Sequence, residues 1–534
     1  MTDETKPTAT GAGRGVLYIA FAKFYFMFAG LLIQFRLPNI LSRASFGSFS
    51  LVSNIASWVN NVLVTGTIQA VSRAAAQEPG KARAVQQAGL RMHVRVGLVI
   101  AVGFIAAAPL VSWLMLDMSK MGPLMLAGLI VGGYSFYAVF IGTANGLHEF
   151  HKQAGLDITF ATLRVVGLLG MAMAGFGVIG VIGGWVAAVG VILCAAIVWI
   201  GLPGPVSAAE RLPVRPLIKF FLGVAVYLVL FNGLMFIDSF LIKRMTTQYF
   251  AEHAPAYQAS LDQVVPWAAK LTGYHYSPSV LADVQNAYYA GAQNLGRLAY
   301  QAIIAATFVV FPLVSRSTFT EDKETTRRYI QVTSRYSLMF AMAIGVAIAA
   351  NPEDMLGVLY APDYAHAGGP ALGLLALGNV AFSIVAINGT ILNGAGYTRD
   401  AILTAAIALV LAGVGNYVAI PLAADSGRVL EVAAGVTGSA MVIGALISGW
   451  ALHRRLGAFL PLRSVVRIAI ATAAALLVGR FLVLPHGKLM TLVEAAIVGI
   501  VFLVVLIGTG ELGKRDLEAI KAVRRKRAAG GGDQ

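Results

Sequence analysis

Five basic side chains lie inside stretches of sequence that are otherwise apolar. They are Lys23, Arg36, Arg164, Arg297 and Arg480. A charged side chain near the centre of a bilayer costs about 2.5–3.5 kcal/mol on insertion scales, so each one needs a compensating role. A guanidinium suits bidentate recognition of phosphate. Because the charges within apolar runs are mostly basic, the sequence favours an anionic ligand over a cationic one.

The five positions predict different roles. Arg36 and Arg480 fall near the predicted outer ends of helices and are interpreted as interfacial anchors. Lys23 lies some eight residues into the first apolar run, about 12 Å along a helix, which makes it a candidate cavity cation. Arg164 is shallower, and snorkelling to the surface competes with a cavity role. Arg297 either faces a cavity or pairs with a buried carboxylate such as Asp238.

The composition predicts that these residues belong to an integral membrane protein. Only 12% of the residues are charged and the mean hydropathy is +0.75, whereas soluble domains carry about 25% charged residues. A spanning helix needs about 20 mainly apolar residues, and fourteen segments qualify. They are 15–38, 46–70, 94–116, 121–145, 157–177, 179–202, 216–242, 287–313, 333–350, 369–394, 400–422, 430–451, 465–484 and 489–510.

The distribution of Lys and Arg orients these segments. With the N-terminus in the cytoplasm, 28 of the 40 basic residues fall in inside connections and termini, seven fall outside, and five lie within apolar runs. Such a bias follows the positive-inside rule and predicts that both termini are cytoplasmic. It also accounts for most of the net charge of +15, so no nucleic-acid partner is predicted.

Two parts of the chain resemble each other at an offset of about 250 residues. ANGLHEFHKQAGLDI (144–158) aligns with LNGAGYTRDAIL (392–403), and GGWVAAVGVILCAAI (183–197) with GVTGSAMVIGALISG (435–449). Six helices per copy predict a parallel repeat, as in many transporters. The predicted domains are an N-lobe at 1–202, a C-lobe at 203–451 with an outer loop at 243–286, helices 13 and 14 at 452–510, and a basic cytoplasmic tail at 511–534.

Several stretches are similar to one transporter superfamily. AYYAGAQNLGRLAYQAIIAATFVVFPLVSRS (287–317) resembles the eighth helix of polysaccharide flippases in the multidrug/oligosaccharidyl-lipid/polysaccharide (MOP) exporter superfamily. LYAPDYAHAGGPALGLLALGNVAFSIVAINGTILNGAGYTRDA (359–401) resembles the tenth helix and the turn after it. RLPNILSRASFGSFSLVSNI (36–55) resembles the first connection, although Leu-Ser-Arg-Ala stands where Leu-Gly-Pro-Glu is usual.

The resemblance implies a flippase that moves an undecaprenyl-pyrophosphate-linked oligosaccharide across the bacterial inner membrane by alternating access. Arg297, Lys23 and Arg164 would then be cavity cations for the pyrophosphate, and Asp238 would be an ion-coupling or charge-pairing residue. Asn232 and Asn388 would line a sugar path or bond helix to helix. The expected partners are the lipid-linked substrate and membrane lipids, with a polysaccharide polymerase as a further candidate.

The sequence leaves several alternative functions open. A peptidoglycan-precursor flippase or a cation-coupled multidrug antiporter belongs to the same superfamily, and the basic interior disfavours the antiporter. An oligosaccharide polymerase or ligase is less favoured because of the repeat. No phosphate-binding Gly-x-x-x-x-Gly-Lys motif occurs, and no metal-ligand spacing is evident, so we expect a non-enzymatic transporter without a cofactor or metal.

Overall fold

The computed structural model describes residues 9–207, 210–253, 277–303, 323–482, 485 and 487–513, where the regular structure is helical. The helices are α1 (Ala9–Ile40), α2 (Arg43–Gln77), α3 (Ala82–Met92), α4 (Leu98–Leu114), α5 (Met121–Gly146), α6 (Phe150–Met173), α7 (Gly177–Ile200), α8 (Val214–Glu252), α9 (Pro278–Gly296), α10 (Lys323–Ala349), α11 (Pro352–Leu359), α12 (Pro362–Gly394), α13 (Thr398–Ala424), α14 (Val429–Leu456), α15 (Leu462–Phe481) and α16 (Lys488–Gly508). A π-helical stretch, His93–Gly97, joins α3 to α4. The predicted all-α polytopic class is confirmed.

Within the described parts of the chain, eleven candidate spans are long and apolar enough to cross a membrane. They are α3 with α4 as one span, then α5, α6, α7, α8, α10 and α12 to α16. All fourteen predicted segments overlap helix, but α1, α2 and α9 are not among the eleven, so the number fourteen is not confirmed. Residues 304–313 of the predicted eighth segment and 514–534 of the predicted tail lie outside the described residues.

The outer loop predicted at 243–286 is shorter in the structure, because helix extends into it from both ends. Helix α8 continues to Glu252 and α9 begins at Pro278, while 254–276 lie outside the described residues. At 1.5 Å per residue, the 39 residues of α8 span about 58 Å. That length exceeds the ~30 Å hydrocarbon core of a bilayer, so the last turns of α8 extend beyond it.

The chain divides into two compact units. The first comprises residues 1–291 and 405–437, and the second comprises 292–404 and 438–534. In the first unit, α2, α3, α5 and α8 share an apolar core that includes Leu63, Val71 and Phe221. In the second unit, α10, α15 and α16 pack around Val346, Phe502 and Leu506. The predicted lobes with a boundary at 202/203 stay a prediction.

The end of α5 has a specific backbone geometry. The His148 N–H donates to the Asn145 carbonyl at 3.1 Å, and the Glu149 N–H donates to the Ala144 carbonyl at 2.8 Å. His148 lies in the left-handed region with φ of 59°. These bonds close the last turn of the helix and satisfy carbonyls that have no partner within it.

The end of α12 repeats this geometry 248 residues later. The Gly396 N–H donates to the Asn393 carbonyl at 3.2 Å, and the Tyr397 N–H donates to the Leu392 carbonyl at 2.8 Å. Gly396 has φ of 86° and stands where the first copy has His148. The shared cap, at the offset read from the sequence, supports the predicted internal repeat.

Candidate functional site

Lys23 of α1 is paired with a carboxylate that the sequence analysis did not single out. Its Nζ lies 2.8 Å from Asp157 Oδ2 on α6. The Lys23 side chain is 48% exposed and that of Asp157 is 10% exposed. A second polar contact joins the same two helices, because the Tyr25 and Thr162 hydroxyls are 2.9 Å apart. The lysine is therefore a charged, accessible group whose counter-ion is a largely buried acid.

Arg164 lies two turns after Asp157 on α6 and is surrounded by aromatic rings. Its guanidinium carbon lies 5.6 Å from the Phe26 ring centroid, 5.8 Å from that of Phe160 and 4.9 Å from that of Trp185. Aromatic faces attract cations over such distances. The Arg164 Nε is buried and has no hydrogen-bond partner among the described residues. The rings thus hold the cation in place without neutralising it.

Helix α5 adds two tyrosines to this group. The Tyr134 ring lies 4.8 Å from the Phe160 ring and 5.3 Å from the Tyr137 ring. The Tyr137 hydroxyl is buried and has no hydrogen-bond partner in the part of the chain that the structure describes. Lys23, Arg164, Asp157 and the aromatic side chains form one cluster on α1, α5, α6 and α7, which we call the basic–aromatic cluster. It combines cationic groups with hydroxyl groups, which are the types that an anionic, sugar-bearing ligand would require.

Arg297 belongs to the second unit and lies in a turn between α9 and the helical residues 298–303. Backbone bonds continue across the turn, from the Arg297 N–H to the Gln293 carbonyl at 3.0 Å. The helix end packs closely on α12, since a Cβ at Gly296 would lie 3.1 Å from the Leu375 Cβ. Arg297 is half-buried. Its participation in one binding site with Lys23 and Arg164 stays a prediction.

Asp238 of α8 is buried and accepts two hydrogen bonds of 2.7 Å, from the Tyr289 hydroxyl of α9 and from the Ser239 N–H. The sequence analysis considered Arg297 as its partner and did not consider the tyrosine. Lys243 forms ion pairs with Asp117 and Asp283, and Arg244 donates to the Leu114 carbonyl. The ion-coupling role of Asp238 is untested.

The two candidate sugar-path asparagines connect helices. Asn232 of α8 accepts from Asn61 of α2 at 3.1 Å, and Asn388 of α12 donates to Ser448 of α14 at 2.9 Å. Such amide bonds hold transmembrane helices together. The Asn388 Oδ1 remains buried without a partner. Among the residues that the structure describes, no group of three His, Cys, Asp or Glu side chains could hold a metal ion.

Solved structures of membrane transporters share this helical architecture. The lipid II flippase MurJ, in an inward closed conformation, is similar over 93% of this chain and 99% of its own, with a TM-score of 0.69 and 12% identity. An inward-facing multidrug resistance MATE family transporter of the MOP superfamily is similar over 82% of this chain and 94% of its own, with a TM-score of 0.59 and 14% identity.

A third solved structure is a MOP superfamily transporter from Pyrococcus furiosus Vc1 (DSM3638), for which reverse polarity of the binding pocket suggests a different function. It is similar over 85% of this chain and 99% of its own, with a TM-score of 0.53 and 14% identity. At these identities the likeness shows a shared fold. The proteins named are transporters and flippases rather than enzymes.

A match between this sequence and a protein family is consistent with the shared fold. Residues 37–264 match the family described as polysaccharide biosynthesis protein. No curated protein matches the chain in sequence. Together, the family match and the shared fold support the resemblance, seen in the sequence, to polysaccharide flippases of the MOP superfamily.

Proposed function

We propose that this protein moves an undecaprenyl-pyrophosphate-linked oligosaccharide across the inner membrane by alternating access, for the export of a cell-surface polysaccharide. The observation that carries the proposal is the basic–aromatic cluster, in which Lys23 and Arg164 are held on apolar helices of a flippase-like fold. A charged side chain within a membrane helix is expensive and is a functional-site hypothesis by default. Here the two cations match the charge of a pyrophosphate.

The Lys23–Asp157 pair suggests how an anion would bind. Asp157 positions the Lys23 ammonium group at 2.8 Å. A pyrophosphate carries more negative charge than one carboxylate, so it would compete with Asp157 for the exposed side of the ammonium group. The Lys23 ammonium group would then bridge the ligand and Asp157, so the largely buried carboxylate would keep its partner. Among the described residues, the buried Arg164 Nε has no hydrogen-bond partner, so it could donate to the ligand.

The location and partners follow from this proposal. The basic connections and termini favour an inner-membrane protein with both ends in the cytoplasm. The pyrophosphate and sugars would cross the membrane between the lobes while the lipid tail stays in the bilayer. A polysaccharide polymerase that consumes the outward-facing lipid is the partner class that we propose.

The experiment that tests the proposal identifies the lipid and its leaflet. In cells that lack the protein, lipid-linked glycans are identified by mass spectrometry and their leaflet is probed. We expect an undecaprenyl-pyrophosphate oligosaccharide confined to the cytoplasmic leaflet. Wild-type protein should restore it to the outer leaflet, whereas Arg297→Ala should insert normally but fail to do so. An unchanged lipid pool would contradict the proposal, and normal export by Arg297→Ala would remove Arg297 from the site.

A peptidoglycan-precursor flippase is the second candidate, because the fold is shared with a lipid II flippase over 93% of this chain. The same mass spectra separate the two candidates. Accumulation of a peptide-bearing disaccharide lipid in the cytoplasmic leaflet would favour the second candidate. Accumulation of a peptide-free oligosaccharide lipid would favour the first.

A further inference from the structure

Two basic and two acidic side chains are buried together in the first unit. The Lys120 Nζ lies 2.8 Å from Asp117 Oδ2 and 2.7 Å from Asp283 Oδ2. The Lys243 Nζ lies 2.8 Å from the same Asp117 oxygen and 2.8 Å from Asp283 Oδ1. Each of the four side chains is at most 5% exposed. We call this set the charge quartet.

The charge quartet joins parts of the chain that are far apart in sequence. Asp117 and Lys120 lie in the connection between α4 and α5, Lys243 lies three turns before the end of α8, and Asp283 lies in the second turn of α9. All four positions are at helix ends that the basic-residue pattern assigns to the outer side. In the predicted division, Asp117 and Lys120 belong to the N-lobe and the other two belong to the C-lobe.

Further polar contacts surround the charge quartet. The Ser279 hydroxyl of α9 donates to Asp117, and Lys243 donates to the Ser279 carbonyl at 2.7 Å. Arg244 donates to the carbonyl of Leu114, the last residue of α4. The buried charges are therefore supported by hydrogen bonds, as a stable buried ion pair requires.

Each half of the charge quartet carries its own counter-ion. Asp117 and Lys120 neutralise each other on one side, and Lys243 and Asp283 neutralise each other on the other side. Of the four ion pairs, separating the halves breaks only the two cross pairs, Lys120–Asp283 and Lys243–Asp117. Leaving a charge buried and unpaired is what makes the loss of one partner so destabilising, and here no charge loses its last partner. The contact is thus suited to repeated opening and closing.

A close backbone contact lies next to the charge quartet. A Cβ on Gly47 of α2 would lie 1.7 Å from the Asp283 carbonyl oxygen of α9, a distance at which backbone would have to move. Only glycine permits this approach of the two helices. Gly47 is in the second turn of α2, at another end assigned to the outer side.

We propose that the charge quartet and the Gly47–Asp283 contact form the outer gate of the transporter. The gate is closed in this structure and separates into two neutral halves when the protein opens to the outside. This inference rests on the alternating access of the proposed function and adds the residues that control one of its two states.

The opening can be measured without any cargo. Nitroxide labels are placed at Met118 and Glu252, which are exposed residues on the two sides of the gate, after Cys194→Ser removes the single cysteine. The distance between the labels is measured by double electron–electron resonance. The full-length protein is reconstituted in vesicles of phosphatidylethanolamine and phosphatidylglycerol.

Two variants perturb the gate by different means. The double variant Asp117→Asn/Lys120→Gln removes both cross pairs, keeps the net charge unchanged and leaves the Lys243–Asp283 pair in place, and Gly47→Ala leaves all four charges in place. We expect both to shift the label distances to longer values. The matched control Glu149→Gln, in the Lys152–Glu149 pair outside the gate, should cause no shift. Unchanged distances in both gate variants would overturn the proposal.

A crosslink tests whether the gate must open during transport. Asp117→Cys and Ser279→Cys, joined by a short thiol-reactive crosslinker in the Cys194→Ser background, should abolish delivery of the lipid-linked glycan to the outer leaflet. The control pair Ser72→Cys and Asn145→Cys replaces side chains that bond at 2.7 Å within the predicted N-lobe, and its crosslink should leave delivery intact. Normal delivery with the first crosslink would overturn the gate. Gate variants that shift the label distances while the glycan assay fails would instead disprove the proposed cargo and leave the gate standing.

Discussion

At the scale of single residues, Lys23 shows how a costly charge is kept available. It is about half exposed and it is held by Asp157 at 2.8 Å. Exposed ion pairs contribute roughly 0–1 kcal/mol to stability. The energetic value of this pair is therefore small for folding, which leaves ligand binding as the reason for a lysine on this apolar helix.

Replacing Lys23 should impair function more than folding. We expect Lys23→Ala, and also Lys23→Ala/Asp157→Asn in which no acid is left unpaired, to abolish delivery of the lipid-linked glycan to the outer leaflet, and Lys23→Arg to retain part of it. The double variant and Lys23→Arg should change the free energy of unfolding by less than about 1 kcal/mol. Leaflet analysis of the glycan and melting temperatures of the purified variants provide the two measurements. Full delivery by Lys23→Ala would exclude the lysine from the binding site.

The cations of the basic–aromatic cluster could be predicted from the sequence, but the acidic partners of the lysines could not. Lys23 and Arg164 stand out because a charge within an apolar run violates a strong local pattern. Asp157 begins a predicted helix and gives no comparable signal. In the sequence, Lys120 and Lys243 read as connection charges that set topology. Only the fold brings them to Asp117 and Asp283, in one case across 163 residues.

At the scale of helices, hydropathy predicted position well and length poorly. The segment predicted at 216–242 is a helix from Val214 to Glu252. Its last turns are polar and continue the backbone hydrogen bonds of the helix beyond the apolar stretch. A hydropathy window measures transfer to lipid and therefore cannot detect these polar turns. These last turns of α8 carry Lys243 and Arg244. The segment predicted from hydropathy therefore ended at residue 242, immediately before the gate residue Lys243.

The similar caps at the ends of α5 and α12 lead to opposite predictions for how a substitution changes the melting temperature. His148 adopts a left-handed conformation that costs an L-residue roughly 1 kcal/mol relative to glycine. We therefore expect His148→Gly to raise the melting temperature, and Gly396→Ala, at the equivalent cap, to lower it. The His148 ring also lies 5.5 Å from Phe150, and the loss of this contact would reduce the gain. A lower melting temperature for both variants would show that the ring contact outweighs the strain.

At the scale of the whole molecule, the charge quartet should resist acid. Burial opposes ionisation of Asp117, but Lys243 and Lys120 outweigh it and hold the pKa of that carboxyl well below its usual range. A carboxyl with a lowered folded pKa stabilises the folded protein at every pH above its unfolded value of about 3.9. This contribution is lost only as the pH falls through the lowered folded pKa.

We accordingly expect the distances between labels at Met118 and Glu252 to stay unchanged between pH 8 and pH 5. The same electron-resonance measurement, repeated along this pH series in vesicles, provides the test. A shift to longer distances at pH 5 would mean that Asp117 takes up a proton in this range, contrary to its pairing with two lysines.

The composition of the charge quartet also has an electrical consequence. Moving one elementary charge through 100 mV is worth about 2.3 kcal/mol. Asp117 with Lys120, and Lys243 with Asp283, each sum to zero, so their separation carries no net charge through the field. The voltage of an energised membrane would therefore do no work on these four residues and would neither hold them together nor pull them apart. Any work that the membrane voltage does in opening them has to act on charges elsewhere in the protein or on the cargo.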